Sequence, residues 1–122
     1  MISENLKQKI GQMVFVGISK PGDEFAPACY VDRRTKYLIE QYHIGNFGIF
    51  GRNIENLCQT VGLCASLTEL VLENTRALEP GGVAPIFTLD QEGGMVSRIY
   101  EGASLISGQM ALGGATPPVM KC

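Results

Sequence analysis

Three short, uninterrupted apolar runs constrain this chain more than any other feature. They are MVFVGI (residues 13–18), FGIF (47–50) and the front of APIFTLD (84–90). None shows the strict apolar–polar alternation of a strand with one wet face. Their length and their Val, Ile and Phe content suit strands buried on both faces, as in a parallel sheet. Parallel neighbours cannot be joined by a tight hairpin, so each pair needs a long crossover between its strands.

The segments between the runs supply those crossovers. Ser3 is placed to N-cap a first helix carrying Leu6, Ile10 and Met13 at helical spacing and fading near Gly11. SKPGDEFAPA reads as a loop. From Asp32, a cap or first-turn carboxylate, the spacing of Tyr37, Leu38, Gln41 and Tyr42 predicts a second helix. Ile54, Leu57, Val61, Cys64, Leu67 and Val71 repeat at three and four, which predicts one long helix over 55–78 with a single apolar stripe. Asn53 opens it, with Asn56 as the alternative cap, and Pro80-Gly81-Gly82 ends it. After Arg98 the chain turns irregular and rich in Gly, Ala and Pro. The order is helix, strand, helix, strand, long helix, strand. That is the pattern of an α/β fold with parallel strands and right-handed crossovers, and 122 residues allow one domain.

Charge and composition exclude several functions. The net charge is −2, with no Lys/Arg cluster and no basic-aromatic interleaving, so neither nucleic acid nor an anionic membrane is an expected partner. No apolar run approaches the roughly 20 residues of a membrane span. The start, MISENLKQKIGQMVFVGI, has no charged-then-apolar leader, and a cytoplasmic location is expected. Cys29, Cys58, Cys64 and Cys122 form no CxxC, which fits buried or idle thiols in a reducing compartment. His43 has no ligand-like neighbour, so it reads as a structural surface or turn histidine. No metal and no cofactor are expected. The absence of GxGxxG and GxxxxGK[ST] argues against a nucleotide domain.

In this fold class, ligands meet the carboxyl ends of the strands. TLDQEGGMVSR, residues 88–98, leaves the end of the third run. A carboxylate there is desolvated on one side and open on the other. Asp90 can accept from neighbouring hydroxyls of a ligand, or cap a turn. Arg98, eight residues on, can return across the mouth and donate in a planar fork. An acceptor facing a forked donor suits a polyol such as a sugar ring. Gly93 and Gly94 allow a tight turn with positive φ. Glu92 either folds back beneath that loop to hold it or reaches the ligand. A matched acid–base pair of Asp90 and Glu92 is disfavoured, because residues two apart at a strand end do not reliably converge. Arg52-Asn53, at the end of the second run, is a further polar cluster, read first as a helix cap.

Taken in order, LKQKIGQMVFVG, YHIGNFGIFGRNI, PIFTLDQEGGMVSRI and GQMALGGAT resemble the N-terminal barrel domain of glycoside hydrolase family 3. The form DQEGG…R looks like the β-N-acetylhexosaminidase branch rather than the β-glucosidase branch. The likeness runs from about Leu6 to Thr116. It implies a TIM-type (β/α)8 barrel and hydrolysis of terminal β-linked sugars with retention, through a covalent glycosyl-aspartate. It also implies that Asp90 and Arg98 bind substrate, a β-linked amino sugar or oligosaccharide, while Glu92, Gly93 and Gly94 shape the loop. In that family the nucleophile is an aspartate on a much later strand, and a histidine with an acidic partner on a later loop serves as acid/base.

Neither of those later parts is present, so no catalytic residue is assigned. Such a barrel needs roughly 250 residues, and this chain supplies about three βα units of it. The ending ALGGATPPVMKC departs from the family, and residues from about 117 to 122 read as an atypical tail. A truncated product, inactive alone, is the expectation. Its open strand edges are expected to drive self-association. Two alternatives stay open: a non-catalytic α/β sugar-binding or interaction module, and a β-glucosidase-like member.

Overall fold

In a computed structural model, residues 3–20, 22–23 and 25–115 are described. The tail expected from about residue 117 lies outside them. The chain forms α1 (Glu4–Gly11), β1 (Phe15–Gly17), α2 (Arg33–Tyr42), β2 (Asn46–Ile49), a single 3-10 turn (Gly51–Asn53), α3 (Leu57–Thr75), β3 (Phe87–Leu89) and α4 (Gln109–Ala115). The strands make one sheet in the order β1-β2-β3, both pairs parallel, with Phe47 in register with Val16 and Phe87. The architecture is therefore the expected α/β class, three parallel strands joined by helical crossovers.

Helix starts follow the expected chemistry. Ser3 accepts from the Leu6 amide at 3.3 Å, and Asp32 accepts from the Thr35 amide at 2.7 Å. At α3 the cap is Asn56, which accepts from the Gln59 amide at 2.8 Å. Asn53 is not that cap. Its fully buried side chain donates to the carbonyls of Ile18 (3.0 Å) and Ala28 (2.9 Å) and accepts from the Phe50 amide (2.9 Å). That last bond withdraws the Phe50 N–H from the sheet, which is why β2 stops at Ile49 rather than at Phe50.

The core lies between the sheet and the helices. Ile18, Ile39, Ile44, Phe47, Ile49, Leu63, Leu67 and Val71 are buried together. The stripe of α3 that reaches this core is Thr60, Leu63, Leu67, Val71 and Thr75. Leu57 and Val61, placed on the expected stripe, face solvent, Val61 at 60% exposure. Two threonines replace them because each hydroxyl donates to a carbonyl one turn back, Thr60 to Asn56 at 2.9 Å and Thr75 to Val71 at 2.7 Å. A buried hydroxyl satisfied within its own helix packs like a small apolar group. Thr75 also accepts from the Val83 amide at 2.7 Å. It ties the end of α3, three residues short of the expected Leu78, to the segment leading into β3.

The outer strands differ from expectation. β1 and β3 are three residues each, and their burial is partial. Met13 and Val14 belong to the turn after α1, where their amides bond to Ile10 and Gly11 carbonyls. Met13 is 80% and Phe15 48% exposed, so the first run is not buried on both faces. After Arg98 the chain is not wholly irregular, since α4 forms over QMALGGA.

His43 closes the opposite end of the sheet. It ends α2 in the left-handed region (φ 57°) and is buried, not at the surface. Its ring bridges Asn74 of α3 (Nδ1 to Oδ1, 3.0 Å) and Glu4 of α1 (Nε2 to Oε1, 2.7 Å). One turn histidine thus joins three helices.

Candidate sugar-binding site

Because the strands are parallel, Ile18, Phe50 and Asp90 emerge from the same end of the sheet. The first two exits are tied together. Arg52 donates from Nε to the Ile18 carbonyl at 3.0 Å and lies 4.6 Å over the Phe50 ring. With the Asn53 bonds, this ties the two exits together. Asn53 is committed to structure, while the Arg52 guanidinium hydrogen-bonds through Nε alone among the described residues. Cys29 is buried beside it, 3.5 Å from the Arg52 carbonyl, and burial, with the nearby Glu55 carboxylate second, pushes its thiol pKa up.

The third exit is built differently. Asp90 is exposed and its carboxylate accepts no hydrogen bond from the described residues. Beyond it the chain folds back on itself. The Glu92 amide donates to the Val96 carbonyl at 2.8 Å, and Gly93 and Val96 pair as an antiparallel bridge. Gly93 (φ 90°) and Gly94 (φ 56°) are both left-handed. A Cβ on Gly93 would stand 2.7 Å from the Ser107 carbonyl oxygen, and the Gly94 amide donates to Ile106 at 2.9 Å. The pair thus gives both the turn and a close approach to residues 106–108.

Glu92 does not hold this loop with its carboxylate, which accepts none of these bonds and is exposed. The side chain that does so is Gln91. Its Oε1 accepts from the Arg98 amide (2.7 Å) and the Ile99 amide (3.2 Å), and its Nε2 donates to the Ile99 carbonyl (3.1 Å). An uncharged side chain beside three conspicuous charges carried no sequence signal for that role.

Arg98 is half-buried. Its stem crosses to the end of β2, with Cδ 3.7 Å from where a Cβ on Gly51 would stand. It lines a cavity of about 480 Å³ with Gly51, Asn56, Ser97 and Tyr100 among others. Asp90 does not line that cavity, and Asp90 and Arg98 form no ion pair among the described residues. The structure puts an unengaged carboxylate and a cation at the two ends of one clamped loop. Among the described residues, no cluster of three or more His, Cys, Asp or Glu could hold a metal. No described helix is long and apolar enough to cross a membrane.

Residues 5–119 match the Glycosyl hydrolase family 3 N terminal domain. The chain belongs to that family. A curated relative, Beta-hexosaminidase A of Pseudoalteromonas piscicida, is 34% identical over 82 residues, covering 66% of this chain and 13% of the relative. Among solved structures, a glycoside hydrolase family 3 beta-N-acetylglucosaminidase from Paenibacillus sp. str. FPU-7 superposes with TM-score 0.71 at 32% identity. It is matched over 88% of this chain and 18% of its own. A fungal multi-domain beta-N-acetylglucosaminidase of the same family superposes with TM-score 0.70 at 25% identity, over 88% of this chain and 11% of its own. This family 3 chain therefore spans under a fifth of the length of each of these relatives.

Proposed function

We propose that this family 3 domain supplies one wall of a sugar subsite in a retaining glycoside hydrolase acting on terminal β-linked N-acetylhexosamine. Asp90 accepts from ring hydroxyls and Arg98 donates across the same ring, while Gln91, Gly93 and Gly94, with the backbone amide of Glu92, set the course of the loop between them. The observation that carries this reading is the Asp90 carboxylate, at a strand's carboxyl end with no partner among the described residues, in a chain that resembles two β-N-acetylglucosaminidases. A retaining mechanism needs two carboxyl groups about 5–5.5 Å apart across the scissile bond. Among the described residues no contact holds Asp90 and Glu92 toward each other, and neither lines the cavity beside Arg98, so nucleophile and acid/base are assigned to strands beyond these three. No cofactor enters this scheme.

Titration with methyl β-N-acetylglucosaminide, followed by amide NMR, tests the wall. Asp90→Asn is expected to weaken binding about tenfold, the worth of a charge-assisted bond. Unchanged affinity in that variant overturns the assignment. On an aryl β-N-acetylglucosaminide the chain alone is expected to show no turnover. Turnover abolished by Asp90→Ala would instead reveal a nucleophile within these residues.

Two finer elements belong to the same proposal. A cytoplasmic setting fits the free thiols of Cys29, Cys58 and Cys64. Self-association fits the sheet, in which β1 and β3 each pair on one side only. A sharp monomeric sedimentation boundary with cooperative melting refutes the association.

A further inference from the structure

The loop from Asp90 to Arg98 is closed by one amide side chain, and the orientation of that amide is determined by its partners. Oε1 of Gln91 faces two backbone donors, the Arg98 and Ile99 amides, and Nε2 faces one backbone acceptor, the Ile99 carbonyl. Turned over, the NH₂ group would point at two N–H donors and the oxygen at a carbonyl, losing all three bonds. A second closure lies inside the first, where the Glu92 and Gly93 amides both donate to the Val96 carbonyl. Among the described residues, Arg98 has no ion pair of its own to place it. What fixes its backbone is Gln91, the immediate neighbour of Asp90.

We propose that Gln91 is a positioning residue that sets Arg98, and hence the spacing of donor and acceptor across the sugar. This rests on the reading of Asp90 and Arg98 as the sugar wall. Gln91 itself is exposed, so its contribution lies in its three hydrogen bonds rather than in filled volume. Its substitutions separate those two contributions. Gln91→Met keeps the length and loses every bond. Gln91→Glu keeps the acceptor for the two amides and sets an oxygen against the Ile99 carbonyl. Space-filling alone predicts that Met is tolerated at least as well as Glu; positioning by hydrogen bonds predicts the reverse.

The test is titration of the full chain with methyl β-N-acetylglucosaminide, with Arg98 and Ile99 amide exchange measured in the same samples. Expected are affinities about tenfold weaker for Gln91→Met and about threefold weaker for Gln91→Glu. Exchange at both amides should quicken in the same order while the rest of the spectrum is kept. A Met variant that binds as wild type, or no worse than the Glu variant, overturns the proposal. Should the Met variant not fold, the Glu variant decides: unchanged affinity and exchange overturn it. The controls are Asp90→Ala and Arg98→Ala. If both bind as wild type, or wild type does not bind, the sugar-wall reading falls and this role falls with it. If both weaken binding and Gln91→Met does not, only the role of Gln91 falls.

Discussion

β2 and β3 are adjacent strands with almost the same apolar vocabulary, and they end in opposite conditions. Phe47 of β2 is fully buried; Phe87, its register partner on β3, is half-buried, though the rings stack 6.1 Å apart. β2 has a strand on each side and α2 and α3 packed beyond it, whereas β3 is the sheet's outer strand. The contrast continues past the strand ends. Beyond β2, Arg52 Nε and the Asn53 side-chain amide donate to the Ile18 and Ala28 carbonyls. Beyond β3, among the described residues, Asp90 has no partner and Gln91 bonds only within its own loop. The central strand exits into scaffold, and the outer strand exits into groups free to meet a ligand.

The sharpest way to break that comparison is to truncate equivalent aromatic residues. Phe47→Ala opens a hole under α3 and is expected to destabilise by about 3–5 kcal/mol. Phe87→Ala on β3, the half-buried register partner of Phe47, is expected to lose less than about half of that. Urea unfolding of both variants measures the difference, and equal losses would mean that the two faces are packed alike. Next is Asn53→Ala, which strands the buried Ala28 carbonyl and the Phe50 amide, with an expected loss of about 2–3 kcal/mol. Asp90→Ala, at the matching exit of β3, is expected to be close to neutral in the same assay.

How far the sequence discloses this contrast depends on the kind of signal. Element type and order were legible because apolar runs and helical spacing are local. Ser3 and Asp32 were legible as caps because a cap acts within three residues of itself. Burial was not, because it depends on which neighbours a strand has, and the runs at Met13 and Phe47 look alike without the sheet order. The α3 stripe misled for a related reason. Val61 looks like core and Thr60 does not, until the hydroxyl is seen bonded to Asn56. Within the site, charge drew attention to Asp90, Glu92 and Arg98. The residue that closes the loop, Gln91, acts on partners seven and eight positions away and has no local mark.

Glycines offer a finer comparison between the two regions. Gly62 lies within α3, exposed, with nothing within 4 Å of an added Cβ. Gly62→Ala is expected to stabilise by about 0.5–1 kcal/mol, through helix propensity. Gly93→Ala meets both a positive φ and the Ser107 carbonyl, and is expected to destabilise by about 1–2 kcal/mol. Thermal melts of the two variants should shift in opposite directions. A Gly93→Ala variant that melts no lower than wild type would mean that the loop after Asp90 relaxes without hindrance, and that its shape is not held by the glycine pair.

The smallest expected effect concerns the far end of the scaffold, where Glu4 meets the buried His43. Hydrogen bonds from Lys7, first, and from His43 hold the Glu4 carboxyl below its ordinary value of 4.5. A carboxylate whose folded value is depressed releases its proton more readily when folded. Its contribution to stability is therefore complete above about 4.5 and is lost as pH falls through the lower, folded value. Glu4 is at the surface, so solvent screens the effect and the shift in melting temperature is expected to be slight. Comparing wild type with Glu4→Gln isolates it from the other carboxylates. The two melting curves should differ most near neutral pH and converge as pH falls below 4.5 and through the lowered, folded value. Curves that stay parallel across that range would show that Glu4 holds His43 by geometry alone. The join between α1, α2 and α3 would then be indifferent to acid, unlike a scaffold that depends on charge to keep its first helix in place.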